Sequence, residues 1–328
     1  MACGFFASGG YRGSIRAPRG RSDPTMLPDL LEPSAAILGG GILVAGGWDL
    51  ARREVPRPLW LGLAAVAVAL GYVGLPPGSP ATAWILWTLV AGVAVEHLVD
   101  WEGPIGARWA RAPLVLDLAI YIGSVSVVLG LLAIYGWGSP EVPVAAVAVL
   151  GVVVLARLLF EARILGGGAD AKALIVIGLL VPFFPTTWLP IDPRALAPLS
   201  AIPFAITALT NAALGAIAVP VGLAVWNAVR GEWAGTRSFA TYTLAVRHLP
   251  DRFVWAEEVP DGARYDPDGA ESAAEDRAMR EQLRRELEAR GVARVRVSPQ
   301  IPMVALLALG VLLGLAAGNL LFDLAAAL

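Results

Sequence analysis

Cysteine is almost missing from this chain: Cys3 is the only one among 328 residues. A lone cysteine excludes an internal disulfide, a paired-cysteine zinc site and any cysteine–histidine metal cluster. Lysine is as scarce. Lys172 stands alone against an otherwise all-arginine basic set. Charge of any kind is sparse, at 16% of residues, and 25 basic against 27 acidic side chains leave a net charge of -2. With no basic excess there is no overall field to draw a phosphate backbone, so no nucleic-acid partner is expected. Residues 1–25, rich in Gly, Arg and Ser, lack an apolar run long enough for the core of a signal peptide. Residues 1–33 are read as a disordered leader, with Met26 as an alternative start to Met1.

What the chain has in abundance is apolar sequence. Hydrophobic residues make up 57% of it and the mean hydropathy is +0.66, a membrane-protein composition. A hydrocarbon core of roughly 30 Å takes about 20 mostly apolar residues per helix. Such stretches follow one another near 35–48, 59–75, 81–99, 113–136, 142–160, 171–189, 200–229 and 301–322. The fold class predicted is therefore all-α: a polytopic helical membrane protein with about eight transmembrane helices and a polar insertion. The domains are residues 34–229 as membrane core, 230–300 as a cytoplasmic insertion and 301–328 as a last transmembrane helix. Within the insertion, the amphipathic stretch from Glu271 to Gly291 reads as a solvated spacer helix laced by local ion pairs such as Glu281 with Arg285, with partner docking as the alternative.

Alternate joints differ in charge. Arg52, Arg53 and Arg57 follow the first span, Arg108 and Arg111 the third, and Arg157 and Arg163 flank the end of the fifth. The other joints carry prolines, among them Pro76, Pro77, Pro140 and Pro190, and almost no basic residue. The positive-inside rule places the arginine-bearing joints and the 230–300 insertion in the cytoplasm.

Ionisable groups inside or at the rim of spans are costly, and so are functional candidates. They are Asp49, Glu96, His97, Asp100, Asp117, Asp170 and Lys172, with Asp323 near the last helix end. Asp49 ends the first span and Asp170 begins the sixth, which puts both at one membrane depth on the cytoplasmic side. Two carboxyls that share a proton can hydrolyse a peptide: one, ionised, activates water, while the other, protonated, faces the scissile carbonyl. Gly166, Gly167 and Gly168 precede Asp170 in GGGADAKALI and leave the backbone free to seat the acid. A hinge ending in an aspartate at a helix start accounts for the same residues without catalysis. Lys172 either tunes a carboxylate or snorkels to the interface. Arg52 and Arg53 either orient the first carboxylate or anchor the helix among headgroups. Glu96 and His97 either line the site or, with Asp100 following, form a solvated helix end, and Asp117, just inside the fourth span, needs only interfacial hydration or a helix-start role.

The pattern Asp-x-x-x-Arg-x-Val-Pro from Asp49 to Pro56, followed by Gly-Ala-Asp-x-Lys from Gly168 to Lys172, resembles the prepilin and preflagellin peptidases, in particular their archaeal branch. The run ALTNAALGAIAVPVGLAVWNAVRGE with Asn211 and Asn227, the passage ARVRVSPQIPMVALLALG, and Gly318 with Asn319 extend the likeness over nearly the whole membrane portion. The resemblance implies two catalytic aspartates, the second in a GxGD motif, which fall here on Asp49 and Asp170. Gly167 takes the motif's first glycine position, and Ala169 stands where the family has its second. It further implies an aspartic endopeptidase of the cell membrane, without cofactor or metal. Its partners would be type IV prepilin-like or archaellin precursors and membrane lipid, and it would remove short basic leaders at the cytoplasmic face. Missing cysteines and the lack of a nucleotide-binding glycine loop argue for peptidase activity without the methylation found in bacterial relatives. A multi-pass transporter or channel with acidic residues at its rim is the competing reading. A presenilin-type protease would need a tyrosine–aspartate pair and a proline–alanine–leucine motif that do not stand in the expected places.

Overall fold

Proline and glycine set many of the boundaries between helices. In the computed structural model, which describes residues 27–75, 81–98, 141–162, 164–165, 168–183, 202–257 and 273–327 and single helical positions at 123, 126 and 130, the apolar runs fold as a helical bundle. Its helices are α1 (Leu27–Arg52), α2 (Arg57–Val73), α3 (Ala81–Leu98), α4 (Glu141–Glu161), α5 (Gly168–Leu180), α6 (Phe204–Val229), α8 (Met303–Ala317) and the short α9 (Leu320–Ala327). Pro56, Pro203 and Pro302 stand just ahead of α2, α6 and α8. A proline there is tolerated because the first amides of a helix have no intrahelical acceptor. Helix α1 starts at Leu27, so the leader predicted over 1–33 gives way to helix before its end. The predicted span at 113–136 lies outside the described residues, apart from the three single helical positions.

The bundle is built around α5. Nearly every residue from Asp170 to Leu180 is buried, and α1, α2, α3, α4, α6 and α8 all pack against this one helix. It is shorter than the run predicted at 171–189: the helix ends at Leu180, two residues before Pro182. At about 1.5 Å per residue, so short a helix falls well below the thickness of a hydrocarbon core. Among the described residues, two helices are long and apolar enough to cross a membrane, over Pro33–Arg52 and Phe204–Val229.

Close approaches fix how the helices run. Gly39 faces Leu315 while Gly46 faces Ala305 and Ala308, so α1 and α8 are antiparallel. Gly310 lies against Ala208 and Ala212, and Gly314 against Phe204, so α8 and α6 are antiparallel too. Helices α2 and α3 form a hairpin held by the stacked rings of Tyr72 and Trp84, 5.7 Å apart, and by Trp87 Nε1, which donates to the Val68 carbonyl at 3.3 Å.

Helix α8 stops at Gly318, whose φ of 82° lies in the region open chiefly to glycine. The break is secured from α6. Asn211 Nδ2 donates to the Gly318 carbonyl at 2.9 Å, and its Oδ1 accepts the Leu320 amide at 3.0 Å. Asn319 Nδ2 in turn donates to Thr210 Oγ1 at 3.1 Å. Because Asn211 is fully buried, Asn211→Leu leaves a carbonyl and an amide without partners. We expect it to lower stability by about 2 kcal/mol or more, read as thermal unfolding in detergent; an unchanged midpoint would contradict the bridging role.

The described structure is mostly helical, as an all-α class requires, and its few strands lie in the insertion. The insertion contains β1 (Tyr242–Ala245), β2 (Val254–Ala256), α7 (Ala273–Ala289) and β3 (Arg294–Pro299). The strands form an antiparallel sheet in the order β1-β3-β2, with Leu244 opposite Val295 and Trp255 opposite Ser298. Val246, Leu249, Val254, Leu283, Leu287, Val295 and Val297 close into a core of their own. Helix α7 is thus a packed element rather than a solvated spacer. Its outer face does carry ion pairs: Arg284 binds Glu281 and Glu288, and Arg285 binds Glu281. Hydrogen bonding from Arg284 and Arg285 holds the Glu281 carboxyl down at about 2. Asn227, near the end of α6, ties the unit to the bundle by donating to the carbonyls of Ser238 and Thr241 at 2.8 and 2.7 Å.

Candidate active site

Asp49 lies in the last turn of α1 and is buried, with 7% of its surface exposed. The antiparallel contact with α8 brings it to the first turn of that helix, where amides lack intrahelical acceptors. Its Oδ2 accepts the Ala305 N–H at 3.2 Å. The side-chain cap that Pro302 cannot supply therefore comes from a residue 256 positions earlier.

Asp170 lies in the first turn of α5 and is equally buried, at 6%. Its position relative to Asp49 follows from the far end of the bundle. The Phe204 amide donates to the Pro182 carbonyl at 3.2 Å, which sets the end of α5 beside the start of α6. Phe204 packs on Gly314 late in α8, and Leu315 on Gly39 early in α1. The start of α5 and the end of α1 consequently share the opposite end of the bundle. Because α1 also packs on α5, both buried carboxylates belong to neighbouring helices at one end.

The supporting residues divide. Gly168 opens α5, whereas Gly166 and Gly167 lie outside the described residues. Lys172 is buried at 9% exposure rather than snorkelling. Two positions along a helix is about 200° of rotation, so it leaves α5 on the side away from Asp170. Arg52 is exposed and lies 5.6 Å over the Trp48 ring. Arg53 takes a positive φ of 59°, which turns the chain off α1 and carries its guanidinium to 5.1 Å over Phe253. Arg280, buried on α7, reaches the same ring at 5.7 Å and pairs with Asp276. Phe253 and Arg280 were not legible as site neighbours. Their only sequence signal is an arginine among the apolar positions of an amphipathic helix.

His97 ends α3 at this same end of the bundle, since α2 and α3 form a hairpin and α2 follows α1 directly. Its Nδ1 lies 2.8 Å from both the Val93 carbonyl and Glu96 Oε2. Asp100 and Asp117 lie outside the described residues, as does the Asp323 side chain. Among the described residues no three of His, Cys, Asp and Glu gather to hold a metal ion. No family model matches this chain, and no curated protein matches it.

Proposed function

We propose that the chain is a multi-pass membrane aspartic endopeptidase of the prepilin-peptidase kind, with Asp49 and Asp170 as its catalytic pair. The observation that carries this is two buried carboxylates, far apart in sequence, at one end of a bundle on helices that pack together. Membrane embedding of the shorter helices is supported by their outward faces, where Val66, Val73, Trp84, Ile85, Val147 and Leu158 are large, apolar and exposed. The arginine-rich joints support about eight crossings with the paired acids at the cytoplasmic face.

In this reading one carboxylate takes a proton from water, and the other, protonated, donates to the scissile carbonyl oxygen as the tetrahedral intermediate forms. The Ala305 amide orients Asp49. Prepilin-like or archaellin precursors suit such a site, because their cleavage point lies between a basic leader and an apolar helix, at the depth of a helix rim.

A second reading has a specific observation behind it: the Ala305 hydrogen bond makes Asp49 a helix cap. Reconstitution with a prepilin-like precursor, followed by N-terminal mass analysis of the product, tests the proposal. Cleavage at the leader–helix junction supports it, and an intact precursor in the presence of well-folded protein counts against it.

A further inference from the structure

Where α6 emerges from the bundle it meets β1 across a cleft of about 570 Å³. Trp226, Arg230, Tyr242, His248, Arg252 and Arg294 line it. The mouth is basic. Three arginines stand against one carboxylate, Glu232, which takes Arg294 at 2.6 Å and Arg230 at 3.7 Å. The nearby Asp251 is engaged elsewhere, 3.3 Å from Arg277. Arg230 also lies 5.3 Å over the Trp226 ring, a half-exposed indole of the kind that settles at headgroup depth.

The apolar surface beside the cleft is ordered. Ile217, Val221, Val225 and Val229 recur every fourth residue along α6, and all four are more than half exposed. Side chains at that spacing form a continuous ridge, which runs along a helix long enough to cross a membrane and ends beside the arginines.

We propose that this cleft binds the phosphate of an anionic phospholipid, whose acyl chain lies along the α6 ridge. Guanidinium groups match phosphate oxygens with paired N–H donors, and basic pockets at the cytoplasmic ends of membrane helices are suited to such headgroups. The edge strand β1 also lines the cleft, and an extended polypeptide added there is the competing occupant. The arginines disfavour it for any segment carrying a basic leader. The proposal rests on α6 crossing the membrane and is independent of peptidase activity.

The test uses the full chain in detergent micelles with dioctanoyl phosphatidylglycerol, dioctanoyl phosphatidylcholine and inorganic phosphate, and reads binding by native mass spectrometry. Phosphatidylglycerol should bind about tenfold more tightly than phosphatidylcholine, and inorganic phosphate should displace it poorly. Arg230→Ala and Arg252→Ala should each weaken phosphatidylglycerol binding about fivefold, whereas Arg285→Ala, on the outer face of α7, should leave it unchanged. Equal binding of the two lipids by the unaltered chain overturns the proposal whatever the variants do. Efficient displacement by inorganic phosphate overturns the lipid assignment in favour of a free-anion site, and displacement by an extended acidic peptide does so in favour of strand addition. None of these results depends on cleavage, so failure here and failure of the peptidase reading are separate.

Discussion

Asp170→Asn is expected to lower cleavage of a prepilin-like precursor by about 100-fold or more, the range over which a lost acid or base is usually felt, with little change in thermal stability. The amide fills the space of the carboxylate and keeps one acceptor oxygen, but it can neither take a proton from water nor share one. Asp49→Asn should behave in the same way. It retains an oxygen for the Ala305 amide, so the cap on α8 survives while the chemistry is lost. Asp49→Ala should lose both, with about 1 kcal/mol of stability gone along with the cap. If Asp49 only caps α8, asparagine preserves cleavage and alanine reduces it in proportion to unfolding. Precursor processing measured beside thermal unfolding for these three variants separates the readings.

Gly310→Val is expected to be among the most damaging single changes in the described part of the helical bundle. A Cβ at this position would overlap the Ala208 carbonyl oxygen and press on the Ala212 amide nitrogen. Both are backbone atoms, so no side-chain rotation relieves the clash and the helices must part. Gly310 brings the α8 backbone against Ala208 and Ala212 on α6, small residues four apart, the spacing that lets membrane helices approach closely. Overpacking here should cost about 3 kcal/mol or more. Because the first turn of α8 holds Asp49, cleavage should fall as well. Gly222→Val, on α6 where a Cβ meets nothing within 4 Å, is the control and should cost little. A thermal midpoint for Gly310→Val close to that of the control would refute the packing argument.

That Asp49 and Asp170 share one end of the bundle was legible, because arginine placement needs no tertiary knowledge: it assigned both to one side, and the packing of α1, α5, α6 and α8 sets both at one end. The extent of α5 was not. Hydropathy records composition, and an apolar run enclosed by other helices reads like one enclosed by lipid, so the hydropathy pattern does not mark the helix end at Leu180. The sheet was concealed for the opposite reason. Arg294 to Ser298 alternates valine with polar residues, the period of a half-buried strand, but the segment's high charge suggested solvated helix and linker. Nor does any local signal mark Asp49 as a cap for a helix that starts more than 250 residues later. The positive φ of Arg53 is similarly invisible, since an arginine is an uncommon residue for that conformation.

The central claim is that Asp49 and Asp170 share one site, and thiol cross-linking measures it directly. With Cys3 replaced by serine the chain has no other thiol, so Asp49→Cys and Asp170→Cys can be introduced together and treated in native membranes with the shortest bifunctional maleimide. The account predicts an intramolecular link that forms in the folded protein and is lost when either cysteine is omitted. Two thiols that each accept a single maleimide under the same conditions, yet never become linked, would contradict it.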